Sequence, residues 1–227
     1  MWWWFPGRNL HTLRSGPPPR PWAAWERQEN EWNSLGLDRR VENRYVALEE
    51  ISVELQLAVL VSEDIEYFDH GAVDWTAVGE AIDEWRGGGR LRGASTISQQ
   101  LVKSLYLSNE RTAWRKLRQV RLASRLEDEL SKRRIFELYL NVVEFGPGLL
   151  GAEAAATHYY ETAALCLDPE QAAGLAAALP SPGRDNPDTV TDLWKLRREL
   201  IMRRMSAARW LRHKLEALNG HAIPHAG

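Results

Sequence analysis

The sequence predicts a mainly α-helical protein folded as one domain, and three observations carry that prediction. Apolar residues recur three and four apart in segment after segment, no stretch alternates as a half-buried strand does, and glycine or proline clusters punctuate the periodic stretches. At 227 residues the chain is long enough for one well-buried domain and too short for two full-sized ones. With 44% hydrophobic and 26% charged residues and a net charge of −2, the overall balance selects no class of partner. Any basic site must therefore come from local clustering. Cys166 is the only cysteine, which excludes an intrachain disulfide and leaves the redox compartment open.

In chain order, residues 1–44 read as an irregular Trp/Pro-rich segment, with Pro17-Pro18-Pro19-Arg20-Pro21 as a stiff, extended mark. The start, Met1-Trp2-Trp3-Trp4-Phe5-Pro6, lacks the charged n-region and long h-region of a signal peptide. No run approaches the roughly 18 to 20 apolar residues of a membrane span. The patterned region is expected over 45–218, followed by a tail at 219–227. Leu57, Leu60 and Val61 predict a helix within Ser52–Glu63; Val78, Ile82 and Trp85 predict another within Asp74–Trp85, ended by Gly87-Gly88-Gly89. Further helices are expected at Thr96–Leu107, Thr112–Leu130 (with Leu117, Val120, Leu126 and Leu130 buried), Lys132–Asn141, Gly151–Tyr160 and Pro169–Leu179. Pro180 and Pro182 stop the last of these. A single closing helix is expected over Thr191–Leu218, with Leu193, Leu200, Leu211 and Leu215 on its apolar side.

Three constellations carry chemistry-bearing residues. Ser62-Glu63-Asp64-Ile65-Glu66 sets three carboxylates at the end of an apolar helix, where the helix dipole disfavours negative charge. Repulsion and burial there raise a carboxyl pKa, which is how a general base is tuned; a solvated acidic turn has the same spacing. His70 nearby fits a structural hydrogen-bonding role. Gly93-Ala94-Ser95-Thr96-Ile97-Ser98-Gln99-Gln100-Leu101-Val102-Lys103 reads as an anion-binding helix start or as simple N-caps, and it lacks P-loop spacing. Arg111, Arg115 and Arg118 share one helix face and, with Lys103 and Lys116, make either a pyrophosphate cradle or a solvated stripe. The closing helix is also basic, and suits either anionic headgroups or an ordinary charged outer face.

Taken together, these segments resemble the peptidoglycan glycosyltransferase family, which occurs as monofunctional biosynthetic transglycosylases and as a domain of class A penicillin-binding proteins. The resemblance runs from Tyr45–Ser52 and Ala58–Asp64, through Gly93–Lys103 and Arg115-Lys116, to Ser131–Ile135, Tyr139–Gly146, Gly151–Ala156 and Pro180-Ser181-Pro182. It covers roughly residues 45–185 in family order. No Ser-x-x-Lys or Lys-Thr-Gly of a penicillin-binding transpeptidase is present, so the monofunctional branch is the match.

The resemblance implies a lysozyme-like helical large lobe with a small membrane-contacting lobe, where Val78, Ile82 and Trp85 fall. It implies an inverting hexosyltransferase that joins lipid II into β-1,4 glycan strands and releases undecaprenyl pyrophosphate. Glu63 matches the family's base. Lys103 and Arg111 match positions that bind the donor pyrophosphate, and Arg115, Lys116 and Arg118 add to that field. Ser95, Thr96, Gln99 and Gln100 match the polar signature of the cleft. No organic cofactor is implied, and a divalent cation, Mg2+ or Mn2+, fits beside the pyrophosphate. The implied partners are lipid II, the growing strand, the membrane surface and cell-wall synthesis proteins, with no nucleic acid. The implied location is the outer, periplasmic face of the cytoplasmic membrane. The departure is Gln119, which stands where the family has its second glutamate; it hydrogen-bonds but carries no charge. Lowered activity is the expectation that follows. Two alternatives stay open: an impaired relative that binds lipid II or cell-wall proteins, and a lysozyme-like lytic enzyme.

Overall fold

The computed structural model describes residues 10–88, 95–107 and 112–219. Among them the chain is mainly helical, as the periodicity predicts: α1 Ala23–Ser34, α2 Val53–Glu63, α3 Trp75–Arg86, α4 Ile97–Tyr106, α5 Ala113–Glu129, α6 Lys132–Val142, α7 Ala152–Tyr160, α8 Pro169–Ala178, α9 Asp192–Ala207 and α10 Arg209–Leu218. The helix starts follow from side chains legible in the sequence. Ser52, Thr96, Thr112, Ser131, Asp168 and Thr191 each accept a hydrogen bond from the backbone N–H three residues on. Each such cap is worth about 1 kcal/mol.

Helix α2 is the axle of the domain. Every residue from Leu55 to Val61 is buried, and the helix packs against α8, α9 and α10. Leu55, Leu57 and Leu60 are fully enclosed, each contributing roughly 1.5–3 kcal/mol relative to exposure. Helix α8 meets α2 with a face of alanines, which lets the two backbones approach closely. A second layer is formed by α4 against α5 and α6, with α1 laid across α4.

Three expectations are corrected. Residues 23–34 form a helix inside the segment read as irregular. Its buried positions are Ala24, Gln28 and Trp32, and its N-cap Trp22 makes no side-chain cap bond. A small residue, a polar residue and one indole are a weak apolar stripe, and without a cap signal the helix is hard to see. The closing helix is two helices, because the backbone leaves helical geometry at Ala208 (φ −91°, ψ 45°). The bend lets Ile201 and Met205 on one side, and Leu211 and Leu215 on the other, all reach the core. Arg212 then clasps both carboxylate oxygens of Glu54 at 2.5 and 2.7 Å, holding α10 to the start of α2. Finally, Leu117, Leu193 and Leu200 are exposed rather than buried. The inward faces are Gln119, Ala123 and Leu126 on α5, and Trp194, Ile201 and Met205 on α9.

A short hairpin was not anticipated: β1 Glu144–Gly146 pairs antiparallel with β2 Leu149–Leu150. Its turn contains Gly148 at φ +74°, where a Cβ would lie 2.0 Å from the Trp32 ring. Only glycine fits both that backbone and that contact. Glu42 flanks the hairpin, donating to Gly148 O and accepting from Leu150 N at 2.9 Å each. Among the described residues no helix is long and apolar enough to cross a membrane. The Ile82 and Trp85 side chains lie outside the described ones.

Candidate active site

The three acids after α2 take separate roles. Glu63 is the last residue of the helix and lines a cleft of 660 Å³ together with Ser95, Gln100, Lys103, Arg115, Lys116 and Gln119. Its Oε2 accepts from Gln100 Nε2 at 2.8 Å, and the other end of that amide accepts from Tyr139 OH at 3.0 Å. Tyr139 is fully buried, so the amide is fixed from behind. Burial pushes the Glu63 carboxyl above the usual range; the Gln100 bond opposes that, Asp64 adds to it and Arg197 opposes it. A carboxyl held in that state is suited to taking a proton. Asp64 turns inward instead. Its Oδ2 accepts from Ile97 N at 3.0 Å and its Oδ1 meets His70 Nε2 at 2.6 Å. His70 Nδ1 meets Gly71 O at 2.6 Å, so the ring faces an acceptor at each nitrogen. Burial lowers the His70 pKa, but the bonds to Asp64 and Gly71 outweigh it and leave it raised. Glu66 is exposed.

The signature from Ser95 to Lys103 divides in the same way. Ser95, Gln100 and Lys103 border the cleft. Thr96 and Gln99 are buried beneath it, both donating to Ala72 O at 2.9 and 2.8 Å. Thr96 also caps α4. Gln99 Oε1 accepts from Lys116 Nζ at 2.7 Å, and Ser95 Oγ from the same ammonium at 2.8 Å. Gln99 therefore aims a cleft lysine from beneath, and Ser95 holds the same lysine from the cleft wall.

Positive charge is concentrated here. The Lys116 pKa is lowered by burial first, then by repulsion from Arg115 and Lys103. Cations that crowd each other in this way are arranged for an anion. Arg118 points elsewhere, its guanidinium 5.7 Å from the Trp114 ring centre, and is exposed. Arg111 lies outside the described residues. Gln119 is buried, its Nε2 donating to Gln99 O at 2.7 Å and its Oε1 accepting from Arg115 at 3.4 Å.

Two charged residues of the cleft have no role assigned from the sequence: Arg27 of α1 and Glu144 of β1, the latter inside the Tyr139–Gly146 motif. Neither lies in a spaced constellation of like residues, and α1 itself was not visible. Beside Glu63 a second cavity of 310 Å³, lined by Ser62, Asp74, Thr76, Glu80, Ser95 and Arg204 among others, adjoins the first. Glu63 and Ser95 border both. Among the described residues no group of three or more His, Cys, Asp or Glu side chains comes together that could hold a metal ion.

The fold is a mainly helical domain with the half-buried Glu63 on the border of two cavities, the larger of them lined by Lys103, Arg115 and Lys116. Residues 28–206 match the transglycosylase family, and the chain belongs to it. It is 47% identical over 146 residues to the biosynthetic peptidoglycan transglycosylase of Methylobacillus flagellatus, covering 64% of each chain. It is 43% identical over 166 residues to that of Nitrosospira multiformis, covering 73% of this chain and 72% of the relative. With that of Dechloromonas aromatica the identity is 44% over 146 residues, covering 64% and 63%. The aligned segment thus spans slightly under two thirds of the first and third relatives. The resemblance read from the motifs is the family found.

Proposed function

We propose that this chain is a peptidoglycan glycosyltransferase that polymerises lipid II, with Glu63 as the base. The carrying observation is the position of Glu63, a half-buried, raised-pKa carboxylate on the border of two cavities. The larger cavity, rimmed by Lys103, Arg115 and Lys116, takes the donor's pyrophosphate; the smaller takes the acceptor sugar. The acceptor 4-hydroxyl gives its proton to Glu63 as its oxygen bonds to the donor's anomeric carbon. The bond to pyrophosphate breaks with inversion, and the charge that develops on the leaving oxygen meets the fixed cations. A divalent cation, Mg2+ or Mn2+, belongs in this proposal as a companion of the substrate's pyrophosphate. The exposed Trp75 at the start of α3 supports contact of that helix with the membrane surface. The location we propose is the outer face of the cytoplasmic membrane.

A second reading is favoured by Gln119 alone: a relative that binds lipid II or cell-wall proteins without turning it over. Incubating the protein with lipid II in detergent, beside a Glu63→Gln variant, separates the two. Polymer from the native chain and none from the variant supports the transferase. Retained lipid II binding with no polymer supports the binding-only reading.

A further inference from the structure

Both polar ends of the Gln119 side chain are engaged within the protein. Its amide joins α5 to α4 through Gln99 O, and its oxygen receives Arg115. An ionised carboxylate in the same pose would set an oxygen against the Gln99 carbonyl and lose that bond. Position 119 thus ties α5 to α4 while still bordering the cleft. The cleft nonetheless contains a second acid. Glu144 is half-buried on the cleft surface shared by Glu63, Lys103 and Gln119, and nothing in the reaction described so far uses it.

Its setting is built, not incidental. The Gly148 backbone N–H donates to its carboxylate. With the Gln28 amide turned to satisfy both of its neighbours, Gln28 donates to Glu144 Oε1 at 3.1 Å and accepts from Trp32 Nε1 at 3.0 Å. The hairpin that supplies Glu144 is fixed by Glu42 on one flank and by Trp32 under its turn. Burial raises the Glu144 pKa; Arg27, the Gly148 N–H and Lys103 pull it down, and Glu31 raises it again. The carboxylate therefore sits in the field of Lys103, which also acts on Lys116, at the end of the cleft assigned to the leaving group.

We propose that Glu144 is the second reacting carboxylate of this cleft, standing in for the acid that position 119 does not carry. The inference rests on the transferase reading. In the transition state the anomeric carbon is oxocarbenium-like, and a nearby carboxylate stabilises that positive charge. The oxygen–carbon bond to the acceptor forms, the bond to pyrophosphate breaks with its electron pair, and the hydroxyl proton goes to Glu63. Glu144 ends the step in the charge state in which it began. Lys103, shared between Glu144 and the pyrophosphate, couples the two developing charges.

The test is a cycle of variants: native, E144Q, E144D, Q119E and Q119E/E144Q, each assayed for kcat and KM on lipid II and for thermal unfolding. E144Q should lower kcat on the order of 10²-fold, with KM and unfolding temperature nearly unchanged. E144D should retain more activity than E144Q. Q119E/E144Q should recover about tenfold over E144Q, because a carboxylate has returned to the cleft. The inference is overturned by an E144Q enzyme within about threefold of native kcat. It is equally overturned if E144Q and E144D fall together along with the unfolding temperature, which is the mark of a structural role. A Q119E enzyme that polymerises normally but gives no recovery in the double variant overturns it too. If neither the native chain nor Q119E makes polymer, the transferase reading fails and takes this inference with it.

Discussion

The two sides of the cleft were built by different means. One side is α4 and α5, whose charged residues come in runs: Lys103 follows a capped helix start, and Arg115 and Lys116 sit one turn into another. The other side is α1 and β1, which contribute one charged residue each, Arg27 and Glu144, neither of them part of a charge cluster. The first side is organised by local sequence, since each helix carries its own cap and its own stripe. The second exists only after folding, when Trp32 packs beneath the Gly148 turn and Gln28 reaches Glu144. Charge supplied by repetition can be found by spacing; charge supplied singly by converging segments cannot.

Glu63 lies between the two sides and should show the largest effect. Glu63→Gln is expected to cost ~10²–10⁴ in kcat. The same change should stabilise the fold. Because burial raises the native pKa above the unfolded value, the native state holds more protons than the unfolded one between those two pKa values. Stability therefore falls as pH rises through that window. The variant lacks that loss, so melting curves should show it more stable than native at pH 7 and equal to it below about pH 4. Equal stability at both pH values would mean that burial does not tune this acid.

Lys103→Ala tests the patterned side, and should lower kcat on the order of 10² with folding intact, since it removes charge from the leaving group's site. Arg27→Met tests the other side. Its guanidinium already donates to Leu107 O at 2.7 Å, and its pKa is lowered by burial against the pull of Glu144. A fall of about tenfold in kcat/KM is expected; a loss as large as that of Lys103→Ala would erase the distinction between the sides. Ser131→Ala, at a cap remote from the cleft, is the smallest. It should cost about 1 kcal/mol in denaturant unfolding and leave polymerisation unchanged.

Most of the helical framework was legible because it depends on local signals. Caps at Ser52, Thr96, Ser131 and Asp168, and breakers at Pro180 and Pro182, each act within a few residues of themselves. The bend at Ala208 was not legible, because no glycine or proline marks it and the cause is the position of α2. In the site, Glu63, Lys103 and Lys116 were readable from motif and charge. Thr96 borders the smaller cavity while capping α4, whereas Gln99 lies underneath, bonded to Ala72 O. A motif specifies that a residue matters and not which way its side chain turns. The N-terminal helix shows the reverse failure: its buried face is Ala24, Gln28 and Trp32, too mixed for any hydropathy pattern, although it shapes one end of the cleft.

The end of α2 has a consequence for how the protein could be cut or transplanted. Arg204 donates to Val61 O at 3.2 Å, covering a carbonyl in the last turn before the base, and Arg197 of the same helix α9 lends its charge to Glu63. Both come from beyond Pro182, the last residue of the recognisable motifs. A graft bounded by those motifs would carry every signature residue into its new host and leave behind Arg204, which covers the carbonyl before the base, and Arg197, whose charge favours the ionised form of that base.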